Sequence, residues 1–230
     1  MSATLILLRH GQSLYNKENL FTGWTDVALS DEGRREAKEA AEILKRHNLY
    51  PDICFSSWLK RAIDTANIVL AELEWEHIDV IKSWKLNERH YGAWQRRNKE
   101  EVELQVGKAL FLAVRRGYDT PPPPLKAGDS RGAEKEAKYS KIDPLLLPRS
   151  ESLKNTRERT LNYFHETIAP QLAEGKTVLI SAHGNSLRSL VMGIENLSPK
   201  EVLKVEIPTG KPFVYTFDDV LNVTGKEFDL

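Results

Sequence analysis

The sequence predicts an α/β protein, a three-layer α/β/α sandwich around a mostly parallel central sheet. Two observations carry that prediction. Short apolar runs of strand length alternate with helical patterns along the chain, the signature of a layered α/β domain. The first of those runs is apolar throughout and bounded by polar residues, as a strand covered on both faces must be.

Taken in order, residues 4–8 form a buried strand. Ser30, followed by Asp31 and Glu32, starts a helix with a capping hydroxyl and acids at its positive end, and Ala37, Ala40, Ala41 and Leu44 fall on one face. Residues 52–57 are the next strand, and 58–73 a helix with Ala62, Thr65, Ala66 and Val69 inward. A short strand follows at 78–82, then a helix over 98–114. From 117 to about 149 the pattern changes: four consecutive prolines, 121–124, favour a stiff polyproline segment, and the polar stretch after them has few core formers. Helix resumes over 151–172, then a strand at 177–181 and a helix at 185–194. Residues 202–207 and 213–217 complete the list as late strands around Pro208-Thr209-Gly210. The expectation is one domain, 1–230, with a Pro-rich insertion at about 117–149 that could act as a lid.

Composition excludes several classes. Lys+Arg and Asp+Glu both number 33, so the chain lacks the basic excess of a nucleic-acid or membrane-surface binder. Cys54 is the single cysteine, which rules out an intrachain disulfide and a thiolate cluster and fits a reducing compartment. No apolar stretch approaches the ~20 residues of a membrane span, and the start carries no basic, apolar export signal. The cytoplasm is the expected location.

The chemistry gathers at two similar places. LILLRHGQSL at the start parallels VLISAHGNSL later: a buried strand, a His-Gly turn, a polar pair and a helix start. In open α/β sheets ligands collect beyond the strand C-termini, where helix N-termini favour anions. His10 and His183 are each expected there, with Gly11 and Gly184 letting the backbone approach a ligand. His47, His77 and His165 lie in polar contexts and read as surface residues, while His90 is expected at the pocket. A metal site fits poorly, because no HExxH or carboxylate cluster accompanies the histidines and Arg9 beside them would repel a cation. Phosphoryl chemistry fits better: a neutral imidazole attacks phosphorus while an arginine and a second histidine neutralise the equatorial oxygens. Arg61, starting the helix after the second strand, is a further cation at the same height. Glu88, after the third, is the natural acid for the leaving oxygen.

These residues stand in stretches that resemble one family closely, the cofactor-dependent phosphoglycerate mutases of the histidine phosphatase superfamily. The stretches are RHGQSLYNKENLFTGWTDVALS, SSWLKRAIDTA, LNERHYGA, Asn98-Lys99, RRGYDTPPPPL, ESLKNT, SAHGNSLRSL and IPTGKPFVY, in order and over nearly the whole chain. The resemblance implies that His10 is a nucleophile forming phosphohistidine, that Arg9, Arg61 and His183 hold the transferring group, and that Glu88 is acid and base. It implies that Gly11, Gln12, Ser13, Asn16, Thr22, Gly23, Arg89, His90, Tyr91, Lys99, Arg115, Arg116, Gly184 and Asn185 bind the rest of the substrate. The implied reaction is an isomerase reaction of glycolysis and gluconeogenesis, interconverting 3-phosphoglycerate and 2-phosphoglycerate. It is primed by 2,3-bisphosphoglycerate, without metal, in a homodimer. The insertion and the C-terminal tail are expected to keep water from the phosphohistidine.

Departures from the family's pattern are local. Gln12 stands for Glu, Trp94-Gln95-Arg96-Arg97 for Leu-Gln-Gly-Leu, Val114 for Trp and Gly117 for Ser, and the ending 225–230 is unlike the usual tail. The alternative activity is that of a bisphosphoglycerate mutase or phosphatase, or of another phosphomonoester hydrolase of the superfamily. A hydrolase would be expected to lack Arg115-Arg116 and Thr22-Gly23. A non-catalytic phosphate-binding module would have lost His10, Arg61 or Glu88, and all three are present.

Overall fold

A computed structural model describes residues 2–227. Its elements in chain order are β1 (Ala3–Arg9), α1 (Leu14–Lys17), α2 (Asp31–Arg46), β2 (Ile53–Ser56), α3 (Lys60–Glu72), β3 (Val80–Lys82), α4 (Lys99–Val106) and α5 (Lys108–Arg115). Then come α6 (Leu153–Tyr163), α7 (Ala169–Ala173), β4 (Thr177–Ala182), α8 (Gly184–Ile194), β5 (Pro212–Phe217) and β6 (Val223–Glu227). The six strands lie in the order β3-β2-β4-β1-β5-β6. The first four are parallel, whereas β5 runs antiparallel to β1 and to β6.

The pleat of β1 produces the three layers. Leu5 and Leu7 pack with residues of α6, α7 and α8 on one face, and Ile6 and Leu8 with Ala40, Ala41, Leu44, Ala66 and Val69 of α2 and α3 on the other. Successive side chains of a strand point to opposite faces, so an unbroken apolar run is what a doubly covered strand requires. α2 begins as expected, with Ser30 Oγ accepting from the Gly33 amide. Where β1 ends, the chain passes so close to α2 that a Cβ on Gly11 would lie 2.1 Å from the Gly33 carbonyl oxygen, and one on Gly33 2.0 Å from that of Gln12. These two glycines let the turn that carries His10 sit against the helix.

Some expectations are corrected. The helix expected over 98–114 is two, because Gly107 takes φ +81° between α4 and α5. Residues 202–207 are not a strand but a 3₁₀ turn (Val202–Lys204) and a loop, and β6 was not foreseen. The helix over 151–172 contains a π-turn at Phe164–Ile168.

The insertion packs behind the site loops. Tyr139 stacks on Trp24 with ring centroids 5.2 Å apart, accepts at its hydroxyl from Asn87 Nδ2 at 2.8 Å, and is buried with Ala133 and Leu147 beside Trp58 and Trp84. The Pro123 carbonyl accepts from the Ala93 amide, and Arg131 reaches the carbonyls of Ala93 and Gln95. None of residues 117–149 lines the cleft described below. Of the unusual ending, 225–227 belong to β6, and the lid expectation for Phe228, Asp229 and Leu230 lies outside the described residues.

Candidate active site

The C-terminal ends of β1, β2 and β4 open on one cleft of about 230 Å³. His10 leaves β1, Arg61 stands in the first turn of α3 after β2, and His183 is the N-cap residue of α8 after β4. The two imidazoles meet edge to face, centroids 5.0 Å apart. His10 Nδ1 lies 2.7 Å from the Gly11 carbonyl oxygen. A carbonyl only accepts, so Nδ1 carries the proton and Nε2 keeps the lone pair. Arg61 Nε donates to that Nε2 at 3.2 Å, and its other nitrogens are fixed by the carbonyls of Thr25 and Gly23.

Burial, then the charges of Arg61 and Arg9, hold the His10 pKa well below the usual imidazole value. Burial and Arg61 do the same for His183. Both rings are therefore neutral near pH 7, so the His10 Nε2 lone pair is present without deprotonation. His183 Nε2 is 2.7 Å from the Ser57 hydroxyl, which fixes the ring. Arg9 is anchored through the Ile207 carbonyl at 2.7 Å, while its buried Nε has no hydrogen-bond partner among the described residues.

Glu88 Oε1 accepts from the amides of Arg89 (2.7 Å) and Asn185 (3.2 Å) at the cleft wall. Its loop is held from below: Arg159 donates to the carbonyls of Lys85, Asn87 and Glu88, and pairs with Glu151 in a buried salt bridge. Glu151 in turn accepts the His90 amide. Farther out, Asn16, Thr22, Gly23, Tyr91, Lys99, Arg115, Arg116, Gly184 and Asn185 complete the expected lining. Burial, with Arg115 and Arg9 nearby, lowers the Lys99 pKa to about 8.

The family profile of the histidine phosphatase superfamily, branch 1, matches residues 5–135. A relative from Hydrogenobaculum sp. (strain Y04AAS1) is 51% identical over 98% of this chain and 91% of its own length. Another, from Nautilia profundicola, is 50% identical over 96% of each chain. Both bear the name 2,3-bisphosphoglycerate-dependent phosphoglycerate mutase. The chain belongs to the 2,3-bisphosphoglycerate-dependent phosphoglycerate mutase family. The solved structure titled Mycobacterial hydrolase 1 shares its fold, with a TM-score of 0.75 at 22% identity over 100% of this chain and 98% of the other.

Not every residue expected in this phosphoglycerate mutase site lies on the cleft wall. Gly11, Gln12, Ser13, Arg89 and His90 do not line it. The bare Cα of Gly11 serves the approach of Gly33 rather than a ligand. The Gln12 side chain accepts from Ser30, and its amide donates to Glu36. Ser13 caps α1 in a reciprocal pair with Asn16. Arg89, fully buried, binds the carbonyls of Val114 and Arg115 and the Tyr91 hydroxyl, which places the two arginines that follow. His90 packs on Trp24 and accepts the Gly92 amide, with burial lowering its pKa to about 4. His183 stands behind His10 and is likewise off the lining. His47, His77 and His165 are exposed, as expected. Arg96 and Arg97 stay off the cleft, and Trp94 packs between Phe21 and Phe111.

The structure also adds residues. Leu20, Phe21, Arg188, Glu206 and Ile207 line the cleft, and Ser57, Arg159 and Glu151 brace it. Arg188 lies three residues along α8 from Asn185, to which it donates, a spacing that could have revealed it. Glu206 has no such signal, because the residues around it read as a strand.

Proposed function

We propose that this protein interconverts 3-phosphoglycerate and 2-phosphoglycerate through a phosphohistidine at His10, primed by 2,3-bisphosphoglycerate. The observation that carries the reading is the lone pair of His10 Nε2, on a neutral buried ring, held beside Arg61 in a cleft lined by Arg9, Lys99, Arg115 and Arg116. The unpartnered Arg9 Nε and this excess of cations suit a small molecule with several anionic groups. The primer supplies the phosphoryl group that first charges His10.

Charged His10 gives its phosphoryl group to the free hydroxyl of a monophosphoglycerate, and Glu88 takes the hydroxyl proton. Arg9 and Arg61 neutralise the equatorial oxygens during transfer, and neutral His183 contributes a hydrogen bond rather than a charge. After the bound molecule turns, His10 Nε2 attacks the other phosphorus and Glu88 returns the proton to the leaving oxygen. Lys99, Arg115 and Arg116 hold the carboxylate and the phosphate that is not reacting. The family resemblance supports a homodimer, and the single, buried, free Cys54 fits a reducing cytoplasm.

The test is an assay on purified protein with 3-phosphoglycerate, with and without 2,3-bisphosphoglycerate, following 2-phosphoglycerate and free phosphate together. The expected outcome is primer-dependent 2-phosphoglycerate formation, insensitive to a chelator. Phosphate as the main product would replace this reading with a hydrolase.

A further inference from the structure

A carboxylate stands on the wall of this anion-binding cleft. Glu206 lines it and pairs with Arg116, Nη1 to Oε1 at 2.7 Å. Its backbone is pinned on either side: before it the Val205 amide donates to the Val202 carbonyl, and after it the Ile207 carbonyl accepts from Arg9. The Arg116 peptide is likewise fixed, its carbonyl accepting from Arg188 and its amide donating to the Leu112 carbonyl. The two charged ends thus face each other from anchored segments. The Glu206 side chain is 70% exposed and Arg116 39%, so their pair is weak enough for a ligand to displace.

We infer that Glu206 is a specificity-determining counter-ion, which occupies Arg116 in the free protein and weakens the hold on bisphosphorylated relative to monophosphorylated ligands. The inference rests on the function proposed above. An anionic group reaching Arg116 must displace the carboxylate and then lie beside it. That repulsion grows with ligand charge, and a bisphosphoglycerate carries one more dianionic phosphate than a monophosphoglycerate. Glu206 therefore discourages the bisphosphorylated molecule from remaining as a tightly bound product, at a position the transferring phosphoryl group does not use.

The test uses calorimetric binding of 2,3-bisphosphoglycerate and of 3-phosphoglycerate to the full chain carrying His10→Ala, which removes phosphoryl transfer, with and without Glu206→Gln. The expected result is roughly three- to tenfold tighter binding of the bisphosphate and at most about a twofold change for the monophosphate. The gain should shrink in 0.5 M salt, about where screening becomes short-ranged. Glu206→Asp, which keeps the charge, should retain most of the original selectivity. Unchanged or weaker bisphosphate binding, or equal tightening of both ligands, overturns the inference. Turnover of the unmodified protein with 3-phosphoglycerate is measured alongside, since its absence would instead remove the proposed function.

Discussion

At His10 the direction of the pKa shift has a kinetic consequence. The ring is neutral far below the usual imidazole range, so its lone pair is not lost to protonation as the pH falls to about 6.5. Lys99 sets the opposite limit. With its pKa lowered to about 8, it is cationic at pH 7 and loses its proton, and with it a ligand contact, as the pH rises through about 8. We therefore predict that kcat/KM falls above pH ~8, while kcat falls less because a bound anion restores the lysine's proton. Lys99→Arg should move that alkaline limb upward by at least ~1 pH unit, since arginine stays charged. A pH profile of the variant checks this, and an unmoved limb would exclude Lys99 as its source. His10, Arg61, His183 and Glu88 were legible because each follows a strand end in a short motif. Ser57 and Arg159 were not, since their roles depend on contacts with His183 and with carbonyls over seventy residues away.

Among the elements, the loop between Tyr91 and α4 shows how a departure from the family's pattern is accommodated. Arg96 stands where the pattern has glycine, and its backbone takes φ +70°. A residue with a Cβ pays about 1–2 kcal/mol in that left-handed region. Arg96 is exposed and off the cleft, so its screened attraction to Asp129 offsets little of the cost. Arg96→Gly should stabilise the protein by about 0.5–1 kcal/mol after the glycine's extra chain entropy, read as a higher denaturation midpoint. A lower midpoint would mean that the arginine makes contacts worth more than the strain. The early elements were readable because each carries its own periodicity and cap. The segment 202–207 was not: it is as apolar as a strand, but Arg188 binds the Val202 carbonyl and Arg9 the Ile207 carbonyl, so these carbonyls are bound by side chains rather than by a neighbouring strand.

For the whole molecule, the balanced charge conceals an uneven one. Arg9, Arg61, Lys99, Arg115, Arg116 and Arg188 line one cleft with only Glu88 and Glu206 as acids. The sequence pointed to this concentration but placed Arg89 in it, which is buried behind, and omitted Arg188 and Glu206. Such a cleft steers anions over distances that salt screens. We predict that kcat/KM for 3-phosphoglycerate drops several-fold between 0.05 and 0.5 M added salt, with a smaller change in kcat; equal values at both concentrations would count against a convergent field. The central claim is that His10 Nε2 carries the phosphoryl group. Its most direct test is incubation with 2,3-bisphosphoglycerate labelled in its phosphates, followed by mapping of the label in the unmodified protein and in His10→Ala. The account predicts an acid-labile, base-stable phosphate on the His10 peptide and none in the variant; equal labelling of the variant, or label on another residue, would contradict it.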